Sequence, residues 1–531
     1  MLLAMLLLLA APLVVGVAAS AAPMEEVAQF DITHYGAKAG GSKGPVCTAA
    51  IHAAVAAAAK AAPAEVVVPE GAFLTGSFGL ASGVKLRLNK GAVLLGSTQA
   101  KDYPTAGWQS PMQGWNWDPA LIDVANATNT GIVGEGAIDG QQMLWVKGYD
   151  PKNNFLQPIV WEKVNGCQGE CRPKLVRFTD CNRVSIVGVT LRNSADWTQL
   201  YRRCTNVLLQ GITVTGSQLW GNNDGVDFES GAGIKVLDSY FRTGDDGIVF
   251  ASGNTNQNRV NSPGLPLTDV VVRNCTISSK SSAIKWEAID FGGCDHGTLA
   301  DMLIEHVTIW NSSRGIGFQQ RNGRGDFRNI TVRHARINTI YPTGTNWWGS
   351  GEPIWLTNIP SAAKEGEPGS LGTIKNVRFE DIVIESENGV LISGVGRPVG
   401  PITLKNLSIT IAVLGNATCR KGYPGTPAGC SDYRPLNCQT AGSAKYCPHT
   451  PPGGVVLPQL TSGIRIEGAG SVDFEDVSVA YRTPVGGMRP AWWAEACVTK
   501  TQLNYSFDPW PYPQNMTATG AHVSCTKHSE S

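Results

Sequence analysis

From Val184 onward the chain repeats an eight-residue pattern, apolar-x-apolar-x-turn-x-x-apolar. Instances start at Val184 (VSIVGVTL), Val207 (VLLQGITV), Ile234 (IKVLDSYF), Val270 (VVVRNCTI) and Met302 (MLIEHVTI). They continue at Ile330 (ITVRHARI), Val377 (VRFEDIVI), Ile402 (ITLKNLSI) and Val472 (VDFEDVSV). The shortest steps are 23, 25, 27 and 28 residues, and longer steps carry insertions. Each unit alternates with period two, breaks at Gly, Asp, Asn or His, and resumes. That is two short strands joined at a corner. One such unit cannot bury its apolar face, whereas a stack of them buries a continuous core. A step of this size makes one coil of a parallel β-helix, with coils about 4.8 Å apart. A β-sandwich of tight hairpins is the alternative, but the unit recurs in phase with itself and has no hairpin mate.

A solenoid needs caps. Residues 48–62 (TAAIHAAVAAAAKAA) place Ile51, Val55 and Ala58 along one face, and Pro63 ends the run. This predicts a short amphipathic helix over the N-terminal end. Residues 1–22 are apolar and end in small residues, the pattern of a secretory signal peptide. After about Val479 the repeat is lost in a tail bearing Cys, Trp and Pro. The expected division is a signal peptide at 1–22, a β-helix catalytic domain at 28–490 and a cysteine-containing tail at 491–531.

Composition narrows the function. The 531 residues carry 43 basic and 43 acidic groups, and zero net charge argues against nucleic acid or anionic membrane as the main partner. Thirteen cysteines, six of them between Cys419 and Cys525, show no metal-ligand spacing, so disulfides and export are favoured. Cys167 and Cys171 close a short loop; the odd count leaves at least one thiol unpaired, with Cys47 the candidate. Sequons at Asn126, Asn274, Asn311, Asn329, Asn406, Asn416, Asn504 and Asn515 are compatible with glycosylation.

The coils can be superposed on one another. Asn223-Asp224-Gly225-Val226-Asp227-Phe228 matches Asp245-Asp246-Gly247-Ile248-Val249-Phe250 at a step of 22. The next coils give Ser281-Ser282-Ala283-Ile284-Lys285-Trp286 and Ser313-Arg314-Gly315-Ile316-Gly317-Phe318. Asp224 and Asp246 then stack on adjacent coils with Asp245 beside them. Stacked carboxylates repel unless a proton, a cation or a substrate group relieves them, so the trio is a functional-site candidate. A solvated Asp-Gly turn and a Ca²⁺ site fit the same residues; general acid/base work on a glycosidic bond fits them best.

These residues resemble glycoside hydrolase family 28, the polygalacturonase family. The similarity begins at FDITHYGAKAGG (30–41), runs through VVVP (66–69), GEGAIDG (134–140), NNDGVD (222–227) and GDDG (244–247), and fades after about Ile409. The family's N-T-D motif maps to Asn222, Asn223 and Asp224, and its G-D-D motif to Gly244, Asp245 and Asp246. The resemblance implies a right-handed parallel β-helix of the pectin-lyase-like kind and inverting hydrolysis of pectin or a related wall polysaccharide. It also implies Asp245 as general acid, with Asp224 and Asp246 positioning and deprotonating the water. No cofactor or metal is implied. A secreted, extracellular or wall-associated monomer is expected, with a polysaccharide as its partner.

Two family motifs are absent. Ser282 stands where the G-H-G histidine is expected, and Gly317-Phe318-Gln319 stand where R-I-K is expected. In polygalacturonases these positive groups hold a uronate carboxylate beside the cleaved bond. Their loss predicts weak activity on plain polygalacturonate, and better activity on a branched or partly neutral relative, unless Lys285 or Arg314 reaches the same carboxylate. Restoring Gly317→Arg with Gln319→Lys is then expected to raise turnover of polygalacturonate. Further substrate contacts are expected from Asn222 and from Trp347 and Trp348, in an insertion that also leads to Trp355; Trp108, Trp115 and Trp117 cluster in an earlier one. A β-helix polysaccharide lyase and a non-catalytic glycan-binding β-helix are the alternative readings.

Overall fold

The computed structural model describes residues 27–103, 119–151, 154–161, 171–252, 265–289, 297–321, 324–340, 349, 351–359, 372–394, 397–411, 463–467 and 469–481, with four short strands beyond. The signal-peptide segment lies outside these residues, as do Trp108, Trp115, Trp117, Cys167, Trp347, Trp348 and most of the tail.

Every repeat found in the sequence stacks on the next in parallel register. Val184 pairs with Val207, Val207 with Ile234, Ile234 with Val270, and Val270 with Met302. Met302 pairs with Ile330, then Val377, Ile402 and Val472 follow in turn. Among the described residues the sheet that results joins 33 strands in a parallel β-helix.

The turn position of the pattern has a single physical explanation. Gly188, Gly211, Asp238, Asn274, His306, His334, Asp381, Asn406 and Asp476 all have φ between +51° and +76°. That left-handed conformation bends each strand into its corner. Glycine adopts it without a Cβ clash, and Asn, Asp and His tolerate it best among the others. The corners also bond to one another. Asn274 Nδ2 donates to Asp238 Oδ1 at 2.8 Å, and Asn406 Nδ2 donates to Asp381 Oδ1 at 2.7 Å.

Inside, an aromatic file runs beneath the strands that carry the acidic motifs. Phe178, Tyr201, Phe228, Phe250, Trp286 and Phe318 follow one another with ring centroids 4.5–5.9 Å apart. All six are buried. The expected cap is the helix Thr48–Lys60, whose Ile51, Ala54 and Ala58 are fully buried; Val55 is only half-buried and packs at the margin of the core. At the other end, Met516–Ala518 and Ala521–Ser524 pair antiparallel with Val472–Tyr481, covering an edge that would otherwise offer open hydrogen bonds. Cys47 at the helix start is unpaired, as are the buried Cys181, Cys204 and Cys275, whereas Cys171 is disulfide-bonded. Among the described residues no helix is long and apolar enough to cross a membrane.

Two substitutions test this account by urea unfolding. Phe228→Ala removes a ring stacked on both sides and should cost about 3–5 kcal/mol. Asp238→Val puts a β-branched residue at φ +53° on an exposed corner and should cost about 1–3 kcal/mol. Equal stability of Asp238→Val and wild type would refute the corner argument.

Candidate active site

The strands Val226–Leu237, Ile248–Ala251, Ser282–Ile289, Arg314–Arg321 and Glu352–Ile359 lie on successive coils. Val226 pairs with Ile248, Ile248 with Ile284, Ile284 with Ile316, and Ile316 with Ile354. The superposition made on the sequence is therefore the register of the sheet. Gly225 N–H donates to Asp246 O and Gly247 N–H to Ser282 O, each at 2.9 Å, which carries the same register back to the aspartates. The column on the catalytic side reads Asp224, Asp246, Ser282, Arg314, Glu352.

Asp224, Asp245 and Asp246 come together: one oxygen from each lies within 4.8 Å of the others, and all three are buried. Asn223 clamps their two loops. Its Oδ1 accepts from Gly244 N–H at 2.8 Å and Asp245 N–H at 2.9 Å, while its Nδ2 donates to Ser217 O at 3.1 Å. Asn222, with φ +55°, turns its own N–H onto Asp245 Oδ2 at 2.9 Å. Gly244 admits no side chain, because a Cβ there would stand 2.0 Å from Trp220 O. So the asparagines of NND hold the loop of GDD in place, and Asn222 does so through its backbone.

Lys285 sits inside this cluster. Its Nζ donates to Asp246 Oδ2 at 2.8 Å and lies 2.7 Å from Glu287 Oε2, while Ser282 N–H donates to Asp246 Oδ1 at 2.8 Å. Lys285 and Glu287 are two apart on one strand and so share its outer face. Burial opposes the charge on Lys285, but Asp246 and Glu287 outweigh it and hold the ammonium protonated. Burial likewise works against Asp246, yet Lys285 and its hydrogen bonds keep that carboxyl below its usual range. Asp245 is pushed up to about 6 by burial and by the neighbouring Asp246. Asp224 is raised well above the ordinary value by burial and then by Asp245, Asp227 and Asp246. Asp227 is raised by burial and by Glu287. Within the stacked pair Asp246 is thus the carboxyl held toward its ionised form, and Asp224 the one held toward its protonated form. The trio has the donor set for a cation, and Lys285 already supplies a positive charge against it.

The remaining expected contacts separate. Arg314 is buried, with its guanidinium 3.8 Å above the ring of Trp355. Trp355 lies on the strand Glu352–Ile359 and is fully buried, so it is part of the coil and not a loop aromatic. Trp347 and Trp348 fall outside the described residues. Asn223 entered only as a letter of its motif, and Asp227 and Glu287 were given no role from the sequence. Period-two spacing from Lys285 points to Glu287, whereas nothing local marks Asn223 as a clamp.

A family model described as glycosyl hydrolases family 28 matches residues 59–266, which include both aspartate loops. A probable polygalacturonase of Vitis vinifera is 29% identical over 364 residues, 66% of this chain and 67% of that one. An exo-poly-alpha-D-galacturonosidase of Dickeya chrysanthemi is 31% identical over 259 residues, 42% of each chain. A family 28 exopolygalacturonase of Yersinia enterocolitica has the same fold, with a TM-score of 0.59 at 18% identity over 88% of this chain and 77% of that one. With NND and GDD gathered on adjacent coils of a parallel β-helix, residues 59–266 belong to glycoside hydrolase family 28 and make the chain polygalacturonase-like.

Proposed function

We propose that the protein is a secreted, monomeric glycosidase that hydrolyses pectin or a related cell-wall polysaccharide by a single displacement with inversion. The observation that carries this reading is the split in proton affinity within the trio. Asp245, raised to about 6, keeps a proton to give the leaving oxygen, whereas Asp246 stays ionised. Two carboxyls whose environments drive them apart are an acid/base pair.

The separation refines the roles. Oxygens within 4.8 Å of each other are closer than the roughly 6.5–9.5 Å usual between acid and base in inverting enzymes. The trio therefore does not flank the sugar from two sides, and the water has to sit at its margin. As Asp245 gives its proton to the leaving oxygen, this water adds to the anomeric carbon and must lose a proton, so it needs an ionised carboxyl that both orients it and receives that proton. Asp246 suits that task, being ionised and fixed at both oxygens by Ser282 N–H and Lys285. A nucleophilic role would require it to shed one of those bonds. Asp224, its carboxyl raised well above the ordinary value by burial and its Oδ1 unpartnered among the described residues, serves as the second group on the water. Lys285, held protonated, is a poor base for proton abstraction, which weighs against the lyase alternative.

Asp245→Asn should lower kcat by roughly 10²- to 10⁴-fold on pectic oligosaccharides while the fold persists. Proton NMR of the first product should show the inverted anomer; the retained anomer would overturn single displacement. In wild type, activity should fall as pH rises through about 6, because Asp245 loses the proton it must donate. Lys285→Met removes the cation that holds Asp246 ionised. Its pKa then rises, so the acidic limb of the pH profile should move upward and the bell should narrow. An unshifted acidic limb in that variant would exclude Lys285 as the group that sets Asp246.

A further inference from the structure

The floor of the site is the outer face of the strands that follow the aspartate loops, and alternation puts every second residue on it. Sheet pairing lines up one column of that face as Leu200, Asp227, Val249, Lys285, Gly317 and Trp355. Neighbours in the column are about 4.8 Å apart, so the six span roughly 24 Å along the stack. A second column, two residues on along each strand, places Arg202, Glu229, Ala251, Glu287 and Thr357 beside them.

Solvent reaches only a short stretch of this floor. The side chains of Lys285 and Glu287 are 15% and 17% exposed, and Ala251 on the preceding coil is half-buried. The three aspartates beside them keep 3–8%. Leu200 and Trp355, at the two ends of the column, have none, and Thr357 beside Trp355 is buried with it.

The ends are closed by the protein's own cations. Arg314 lies lengthwise on the floor. A Cβ at Gly317 would stand 3.2 Å from its Cδ, and its guanidinium sits 3.8 Å above the ring of Trp355. The side chain is 2% exposed and faces the buried Glu352, so it packs the floor and is not offered to a ligand. At the other end, Arg202 Nε donates to Glu229 Oε2 at 2.6 Å and Arg177 Nε to Asp123 Oδ1 at 2.9 Å. Lys174 donates to Asp196 Oδ2 at 2.9 Å with its ammonium 4.0 Å over the ring of Trp197. All three cations are buried. A chain cut in its interior has to enter and leave along an open floor. A floor open over one or two coils and sealed beyond them is a pocket, and it admits a long chain only by its end.

We propose that the site is a blind pocket, sealed on one side by Arg314 over Gly317 and Trp355 and on the other at the coil of Leu200, so that the enzyme attacks polysaccharide chains from an end. This rests on the hydrolase reading and adds to it the mode of attack. The products are short saccharides released one at a time, and the interior of the polymer is left uncut.

The test follows wild type on polygalacturonate and on rhamnogalacturonan, recording viscosity, reducing ends and products by chromatography. A monomer or dimer should be the sole early product on the polymer that is cleaved, with viscosity falling only in proportion to the bonds broken. A ladder of intermediate oligomers with an early collapse of viscosity would overturn the pocket and leave hydrolysis standing. Calorimetry on Asp245→Asn with galacturonate dimer to hexamer supplies a readout that needs no turnover. Affinity should level off by the trimer, whereas tightening that continues to the hexamer would overturn the proposal. If wild type cleaves neither polymer while affinity levels off in this way, hydrolysis is wrong and the pocket stands. Adding Arg314→Ala to Asp245→Asn uncovers Gly317 and Trp355, and should extend the rise in affinity by at least one sugar. An unchanged length dependence in that variant, folded by circular dichroism, would overturn Arg314 as the seal; if it does not fold, the wild-type products and the Asp245→Asn series decide alone.

Discussion

The structure depends on keeping parallel coils in register while each strand turns a corner. A slip of one residue would move every core side chain to the solvent face. The left-handed residue in each repeat provides the bend without ending the backbone ladder. With the corners fixed, Val184 to Val472 stay in line over the whole solenoid, and so do the aromatic rings beneath the acidic strands. The site inherits its geometry from this. Asp224 and Asp246 are close because their coils are, and the backbone bond from Gly225 to Asp246 leaves them no freedom to part. Repulsion between the carboxylates is borne by the stability of the stack.

That enforced closeness produces the chemistry. Three carboxyls taken out of water cannot all ionise, and their differences decide which keep protons. Lys285 settles the matter for Asp246 through a bond of 2.8 Å. Asp245, whose nearest cation is engaged elsewhere, is left with a raised affinity. Two of its own stabilising contacts come from backbone N–H groups, of Asn222 and Asp246, which temper the rise to about 6. Asp224 has no such help at Oδ1, and burial with its neighbouring carboxyls raises it well above the ordinary value. The proposed acid Asp245 and the ionised Asp246 are thus distinguished by their hydrogen bonds, although they are neighbours in sequence.

Much of this was legible in the chain because the governing periods are short. Alternation of two gave the strands, and recurrence of the corner gave the coil. Matching Val226 with Ile248 and Ile284 with Ile316 on sequence alone gave the true pairing. The helix was legible for the same reason, its apolar spacing and Pro63 marking both its face and its end. What escaped was decided by side-chain reach. Lys285 read as a substrate contact, yet four methylenes bring its ammonium back to Asp246. Asn223 read as part of a motif, yet its amide bridges two loops that are 21 residues apart. Trp355 looked like a loop aromatic because the insertion before it hid the start of a strand.

The two missing family motifs follow one logic. On a stack of coils, a position one coil away is about 4.8 Å distant, and a position two along the same strand about 6.7 Å. A long cationic side chain spans either distance, so a charge can be delivered to one point from several places. Ser282 lacks the family's histidine, and Lys285, three residues on, brings a positive charge to the same coil. Gly317 lacks the family's arginine, and Arg314, three residues earlier, lies across the space that glycine leaves. The relation between the two is steric as well, since a Cβ at 317 would stand 3.2 Å from Arg314 Cδ. Lost motif letters therefore do not by themselves mean lost charge on a coil. A glycine that leaves room for a long side chain is as much a part of that packing as the side chain itself.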